Sequence, residues 1–470
     1  MALKKKTLNK LPSSFRDPSG FMFEYRGKLY RQINKVYKKN YDLLIKSGLY
    51  DRLVENNLLT PHREARIEKQ KSKDIYKIIE PESIPFISYP YEWCFSQLKD
   101  AALLTLRIQK ISLEHGMFLK DASAYNIQFY QGKPVLIDTL SFECYKEGSP
   151  WVAYRQFCYH FLSPLLLMSY KDMRFGSLLR VFIDGIPLDL TSTLLPKRTL
   201  VNPSLFSHVH LHSKSQSAFG NKKVNIGKYK ISKQSLFGII DNLEGAIGKL
   251  KPNLSKSVWG DYYEDTVYSR KALAYKKKLV ANMIMRAKPS TVWDLGANTG
   301  LFSRLSSDMG IHTVSADMDY KAVEKNYCQM KSKSETNMLP LVIDVFNPSP
   351  AIGWGNKERE SFLERGPVDC VIALALIHHL AISNNVPLEN VAKLFHRTCK
   401  YLIIEFVSKS DRNVQRLLSN RVDVFGDYSQ NSFEGAFNKY FNLISKRKIV
   451  NTKRTLYLFK KKRRIVHESV

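Results

Sequence analysis

The sequence predicts an α/β chain: a seven-stranded, mostly parallel sheet in the C-terminal half, joined to a separate α+β domain in the N-terminal half. Three observations predict it. Five apolar runs after residue 290 end in, or just before, a polar residue, with enough chain between them for crossover helices. A glycine turn follows the first run, at Gly296 and Gly300. The last two apolar runs, in FNLISKRKIVNTKRTLYLFKK, alternate in polarity around a polar turn and read as two antiparallel closing strands.

The N-terminal domain is expected over residues 1–212. FMFEYRGKLYRQI, residues 21–33, reads as a hairpin turning at Gly27. Residues 94–113 read as an amphipathic helix with Cys94, Leu98, Ala101, Leu104, Ile108 and Ile111 on one face. HGMFLKDASAYNIQFYQGKPVLIDTLSFE follows. It places Asp121, Asn126 and Asp138 around a hairpin turning at Gly132, with Asp138 ending the apolar strand PVLID. This pattern resembles the catalytic core of kinase-like phosphotransferases, in which an Asp, an Asn and a later Asp surround a hairpin. The resemblance implies that Asp121 is the base taking the hydroxyl proton, and that Asn126 and Asp138 hold Mg2+ against the phosphates of ATP. The chain departs from the pattern. Leu119-Lys120 precedes Asp121, Thr139-Leu140 follows Asp138, no phosphate-covering glycine loop is apparent, and Lys28 and Arg31 are the only candidates for the strand cation. A fold of this kind used only for binding, or polar residues at the turns of an unrelated α+β domain, are the alternatives.

Residues 213–255, rich in Ser, Lys, Gly and Asn, read as a linker or extended excursion. A helix from about Asp265 to Met285 leads into the C-terminal domain, expected over 256–470. Trp259, Tyr262, Tyr263 and Tyr268 lie just before the first strand. There they form either a lid or ordinary packing against the sheet.

The first strand, TVWD, ends in Asp294 and turns through Gly296, Asn298 and Gly300 into a run that can be helical. A strand ending in a carboxylate and turning through glycines into a helix is how an open α/β sheet holds an adenosyl cofactor. HTVSAD ends in Asp317, LPLVID in Asp344, VDCVIALALIHHL runs into His378 and His379, and KYLIIEFV spans 400–407. The order resembles the Rossmann-like class I S-adenosylmethionine-dependent methyltransferases. The resemblance implies that Gly296, Asn298 and Gly300 line the methionine loop, with Asp294 near the amino group. Asp317 would bind the ribose and Asp344 the adenine amine. Asn298 stands where many members have glycine, and Asn tolerates left-handed backbone angles better than other residues. A dinucleotide-binding domain would need a third glycine where Leu301 and Phe302 stand.

Other motifs are weaker. His208, His210 and His212 in HVHLH would share one face of a strand, but no Cys or carboxylate cluster completes a metal site, so a polar strand edge is the simpler reading. NPSP, Asn347 to Pro350, follows the third strand rather than the fourth and reads as a turn. After the fourth strand an imidazole, His378 or His379, is available as a base for a hydroxyl. That tilts the acceptor toward oxygen, with packing or helix capping as the plainer role for one of the pair.

A chain of 470 residues with 44% hydrophobic and 12% aromatic content fits two or three ordered domains. The net charge of +30 favours an anionic partner, such as nucleic acid, an acidic glycan or a membrane surface. It fits a solvated basic surface equally well. The basic clusters Lys4–Lys6, Lys276–Lys278 and Lys460–Arg464 are short and carry no RNA-binding aromatic signature. Six scattered cysteines suggest reduced thiols, no signal peptide or membrane span is apparent, and cytoplasm is the default.

Taken end to end, the chain resembles bacterial class I methyltransferases related to host-specificity nodulation proteins. The resemblance rests on YRQINKVYKKNYDLLIKSGLYDRL, ISYPYEWCFSQLKDAALLTL, LKDASAYNIQFYQGKPVLIDTLSFE, PWVAYRQFCYHFLSPLLLMSYKD and ALALIHHLAISNNVPLENVAKLF. It implies methyltransferase activity with S-adenosylmethionine as cofactor and points toward a surface-glycan or signalling-oligosaccharide role, without fixing the acceptor. A nucleic-acid methyltransferase, a bifunctional kinase–methyltransferase and a non-catalytic cofactor-binding regulator are the alternatives.

Overall fold

The computed structural model describes residues 9–67, 73–213, 230–254, 268–419 and 422–463. Trp259, Tyr262, Tyr263, the clusters at Lys4–Lys6 and Arg464, and the start of the expected helix at Asp265 lie outside them. The chain divides into two compact units, Met1–Ser255 with Ala351–Arg359, and Lys256–Pro350 with Glu360–Val470.

In the first unit, β1 (Asn9–Lys10), β2 (Gly20–Tyr25), β3 (Lys28–Asn34), β4 (His62–Glu64) and β5 (Ile75–Pro81) form an antiparallel sheet in the order β1-β2-β3-β5-β4. The β2–β3 turn places Arg26 and Gly27 at φ 53° and 78°, the double left-handed turn that matches strand twist. Helices α1 (Lys38–Lys46) and α2 (Leu49–Glu55) connect β3 to β4. The expected amphipathic helix is α3 (Phe95–Glu114), which buries Leu98, Ala101, Leu104 and Ile108. β6 (Met117–Leu119) pairs with β9 (Phe142–Cys144), and β7 (Ile127–Tyr130) pairs with β8 (Lys133–Leu136) across the Gln131-Gly132 turn. Those two small sheets carry the Asp121–Asp138 segment between them.

Two readings change here. Most of the expected linker that is described is helix α4 (Lys233–Lys249), capped by the Ser232 hydroxyl. Leu236, Ile240, Leu243 and Ile247 form its buried stripe, and Lys110 of α3 forms an ion pair with Asp241 at 2.5 Å. The Ser/Lys/Gly/Asn composition hid a regular 4-3-4 apolar spacing. HVHLH is a wide helical turn rather than a strand, because Asn202 caps a helix that starts at Pro203 and runs into it. His208 lies between the Tyr154 hydroxyl and Asn242, and His210 between Ser192 and Thr199.

In the second unit, α5 (Arg270–Ala287) precedes a seven-stranded sheet. Its strands are β10 (Thr291–Leu295), β11 (His312–Asp317), β12 (Met338–Val342), β13 (Val368–Ala373), β14 (Cys399–Val407), β15 (Phe441–Lys448) and β16 (Arg454–Lys461). They run in the order β12-β11-β10-β13-β14-β16-β15. The first five are parallel and β16 is antiparallel to both its neighbours. The order reverses between β10 and β13, which opens a crevice at their carboxyl ends. Val280, Ile284, Val292, Ile372, Ile403 and Leu458 form the core beneath it. The segment Ala351–Arg359, between β12 and β13 in sequence, belongs to the first unit. There Glu358 accepts from the Arg16 guanidinium at 2.5 and 3.0 Å. Among the described residues no helix is long and apolar enough to cross a membrane.

Leu243 is fully buried. Leu243→Ala is therefore expected to lower stability by about 2–4 kcal/mol in urea unfolding, whereas a linker residue would change it by less than about 0.5 kcal/mol.

Candidate active site

The crevice holds a cavity of about 340 Å³ whose lining includes Asp294, Gly296, Asn298, Asp317, Asp344 and His379. All but Gly300 of the expected cofactor residues are brought together here. The loop after β10 is tied to β11, because Gly296 and Ala297 both donate to the Ala316 carbonyl, at 2.9 and 3.0 Å. The Asn298 N–H donates to Asp317 Oδ2 at 2.7 Å with Asn298 at φ 50°. Gly300, at φ 75°, is needed for a different reason. A Cβ there would meet the Asn326 amide at 2.5 Å and Arg304 at 2.8 Å, so this glycine serves packing of the loop rather than approach to a ligand.

The acidic wall is poorly neutralised. Burial pushes the Asp294 carboxyl up to about 7; the Ser303 hydroxyl, at 2.6 Å, pulls the other way, and the Asp317 charge adds to the rise. Burial pushes Asp317 up to about 6 against the pull of the Asp319 and Asn298 N–H groups. Asp344 accepts from the Phe346 N–H at 2.9 Å. Two buried carboxylates short of counter-charge, beside a glycine loop, fit a ligand that brings an ammonium and hydroxyl groups.

The lining also meets a polar network that the sequence did not reveal, whose Lys276 charge is felt at Asp294. Lys276 Nζ donates to Glu405 Oε2 at 2.7 Å, and both side chains are buried. Tyr268 donates to Glu405 Oε1, and Arg454 bridges Tyr268 and Asp411 at 2.8 and 2.7 Å. Burial alone would raise the Glu405 carboxyl, but the Lys276 and Arg454 charges outweigh it and hold it below its ordinary value. Glu405 Oε2 also accepts the N–H of Ala375 at 2.8 Å, and Ala375 has φ 49°. A non-glycine residue in that region is strained by roughly 1–2 kcal/mol, and this hydrogen bond holds it there. A signal for Lys276 did exist. Ala272, Lys276, Val280, Met283, Ile284 and Ala287 make one buried stripe of α5, so one lysine of the Lys276–Lys278 run interrupts an apolar face.

His378 and His379 separate. His378 is fully enclosed, neither ring nitrogen has a hydrogen-bond partner, and burial pushes it well below the ordinary histidine value. A base has to reach its substrate, so the expectation for His378 is corrected to packing. His379 lines the cavity, and burial followed by the Arg454 charge lowers it to about 4.

In the first unit Asp121, Asn126 and Asp138 also converge. Asn126 Nδ2 donates to Ser141 Oγ at 3.2 Å, and Ser141 donates to Asp138 Oδ2 at 2.7 Å. Burial raises the Asp121 carboxyl, with the Asp138 charge second. Of the two expected metal ligands, Asp138 is otherwise engaged. Arg31 Nη1 lies 2.5 Å from Asp138 Oδ1, which also accepts the Leu140 N–H. Among the described residues no group of three His, Cys, Asp or Glu side chains is arranged to hold a metal ion.

The chain is 35% identical to the nodulation protein NoeA of Rhizobium meliloti (strain 1021) over 460 residues, 96% of each chain. No family model matches it. Partial structural likenesses include the bifunctional kinase-methyltransferase WbdD (17% identity, 46% of each chain, TM-score 0.30). They also include the N-methyltransferase NodS from Bradyrhizobium japonicum WM9 (8% identity, 41% of this chain and 98% of that one, TM-score 0.30).

The burial of His379 has a direct spectroscopic consequence. Imidazole NMR, assigned with His379→Gln, is expected to show His379 neutral from pH 8 down to pH 5, and a midpoint near its ordinary 6.5 would contradict its enclosure.

Proposed function

The chain belongs to the family of the nodulation protein NoeA, and from that premise we propose that its C-terminal unit is an S-adenosylmethionine-dependent methyltransferase acting on an oxygen of a glycan-type acceptor. One observation carries the reading. A glycine loop and the carboxylates of Asp294 and Asp317 meet in one cavity where the parallel strand order reverses. In this reading Asp294 faces the ammonium of the methionine moiety, the Gly296–Gly300 loop follows its chain, Asp317 takes the ribose hydroxyls and Asp344 the adenine amine. The bound cofactor supplies an electrophilic methyl group on a sulfonium. The chain's own residues align the acceptor oxygen with it, exclude water and take up the acceptor's proton. His379 Nδ1 or Nε2 is the proton acceptor, neutral at physiological pH because it is buried. The Glu405–Ala375 hydrogen bond sets the backbone from which His379 is presented.

The N-terminal unit is assigned to acceptor recognition. The sequence resemblance noted above hints at a surface-glycan or signalling-oligosaccharide acceptor, and cytoplasm is the proposed compartment. A nucleic-acid acceptor is the second reading, favoured by the +30 charge. It requires affinity that falls steeply with salt.

Calorimetry with S-adenosylhomocysteine tests the cofactor reading. Asp317→Ala is expected to weaken binding about 10- to 100-fold, as loss of charged hydrogen bonds does, and Gly296→Arg to abolish it. Wild-type protein with no affinity for the ligand would sink the reading. Labelled methyl transfer to glycan, protein and RNA fractions then identifies the acceptor.

The raised Asp294 value gives a second prediction. An arriving ammonium favours the ionised carboxylate, so binding at pH 6.5 releases protons, and affinity rises with pH until it levels off above about 7. Binding heats compared in buffers of different ionisation enthalpy measure that release; identical heats would contradict it.

A further inference from the structure

The N-terminal unit holds a polar cluster that methyl transfer does not use. Asp121, Asn126 and Asp138 come together, yet the arrangement around Asp138 does not suit a divalent cation. A magnesium ion needs carboxylate oxygens that are free to turn toward it. Oδ1 of Asp138 faces Arg31 Nη1 at 2.5 Å and accepts the Leu140 N–H at 3.1 Å, while Oδ2 accepts the Ser141 hydroxyl at 2.7 Å. Asn126 Nδ2 donates to the same hydroxyl at 3.2 Å.

The cation is delivered by a rigid element. Arg31 lies within β3, opposite Met22 on β2 and Ile79 on β5, so it is held from both sides of the sheet. Both partners of the Arg31–Asp138 pair are mostly buried, with side chains 12% exposed. The other end of the guanidinium faces Asp17 at 3.9 Å, and Lys120 closes that side through Ser19 at 2.8 Å. A dication placed on Asp138 would sit against the positive charge of the Arg31 guanidinium.

We infer that Arg31 is a built-in counter-ion that takes the place of a divalent metal at Asp138, so that the N-terminal cluster is a metal-independent binding core and not a phosphotransfer centre.

Mn2+ titration of the full chain, read by the electron paramagnetic resonance of free ion and by thermal shift, tests this. Wild-type protein is expected to bind no Mn2+ at the cluster and to show no shift in melting temperature. Arg31→Gln frees Asp138, and is expected to gain Mn2+ affinity on the order of tenfold or more and to be stabilised by the ion. Arg31→Gln combined with Asp138→Asn is expected to lose that response. Mn2+ binding or magnesium-dependent ATP binding by the wild-type chain, abolished in Asp138→Asn, overturns the inference, as does a folded Arg31→Gln protein that ignores Mn2+. Should Arg31→Gln fail to fold with or without the ion, the wild-type and Asp138→Asn measurements still decide. S-adenosylhomocysteine affinity in the same samples reports the C-terminal unit separately.

Discussion

The register of two parallel strands governs the candidate site. Leu295 of β10 lies opposite Ala316 of β11, so the two strands end together. The Ala316 carbonyl then catches both N–H groups that follow β10, and Asp317 catches the third, at Asn298. The loop is thereby closed by two backbone bonds and one to the Asp317 carboxylate, and two acids from adjacent strand ends are confined to one buried wall. That confinement opposes ionisation. Both carboxyls are raised above their ordinary 3.8, so their contribution to stability is fully present below that value. It is lost as pH rises through about 6 for Asp317 and about 7 for Asp294. A site that is least comfortable when empty and ionised is one prepared for a cationic ligand.

The polar network around Glu405 solves a different problem. Burying Lys276, Glu405, Arg454 and Asp411 together gains little net stability, because each charge loses its hydration. What the network gains is geometry. Glu405 is the acceptor that keeps Ala375 in a left-handed turn, and that turn follows β13 at the cavity edge. Replacing any one member would leave a buried charge without its partner. The shape of the β13 loop therefore depends on residues as far apart in sequence as Tyr268 and Arg454.

That distance explains what was legible. Asp294, Gly296, Asn298 and Asp317 could be read because the chemistry is local: a strand, its terminal acid, and the turn after it. Glu405 and Arg454 could not, since each is one polar residue inside an apolar strand and its meaning lies in a partner on another element. α4 was hidden by composition, although its apolar spacing was regular. HVHLH misled because a period of two implies a strand only where the flanking chain is extended, and Asn202-Pro203 starts a helix there instead. His378 and His379 were indistinguishable in sequence. Only the direction in which the helical turn leaves β13 buries one and exposes the other to the cavity.

The described cavity lining carries little of the excess of basic residues. Among the described lining residues, Lys276 is the sole lysine or arginine, and it is paired with Glu405. His379 is neutral above about pH 4. Among the described residues, the lining also includes the apolar side chains of Leu376, Leu380 and Leu417 with isolated polar groups such as Ser383. Charge spread over the rest of the chain can raise the encounter rate with an anionic partner, an effect that acts over a Debye length and weakens with salt. Under the proposed reading, an acidic acceptor would keep its negative groups outside the described lining while an uncharged hydroxyl enters.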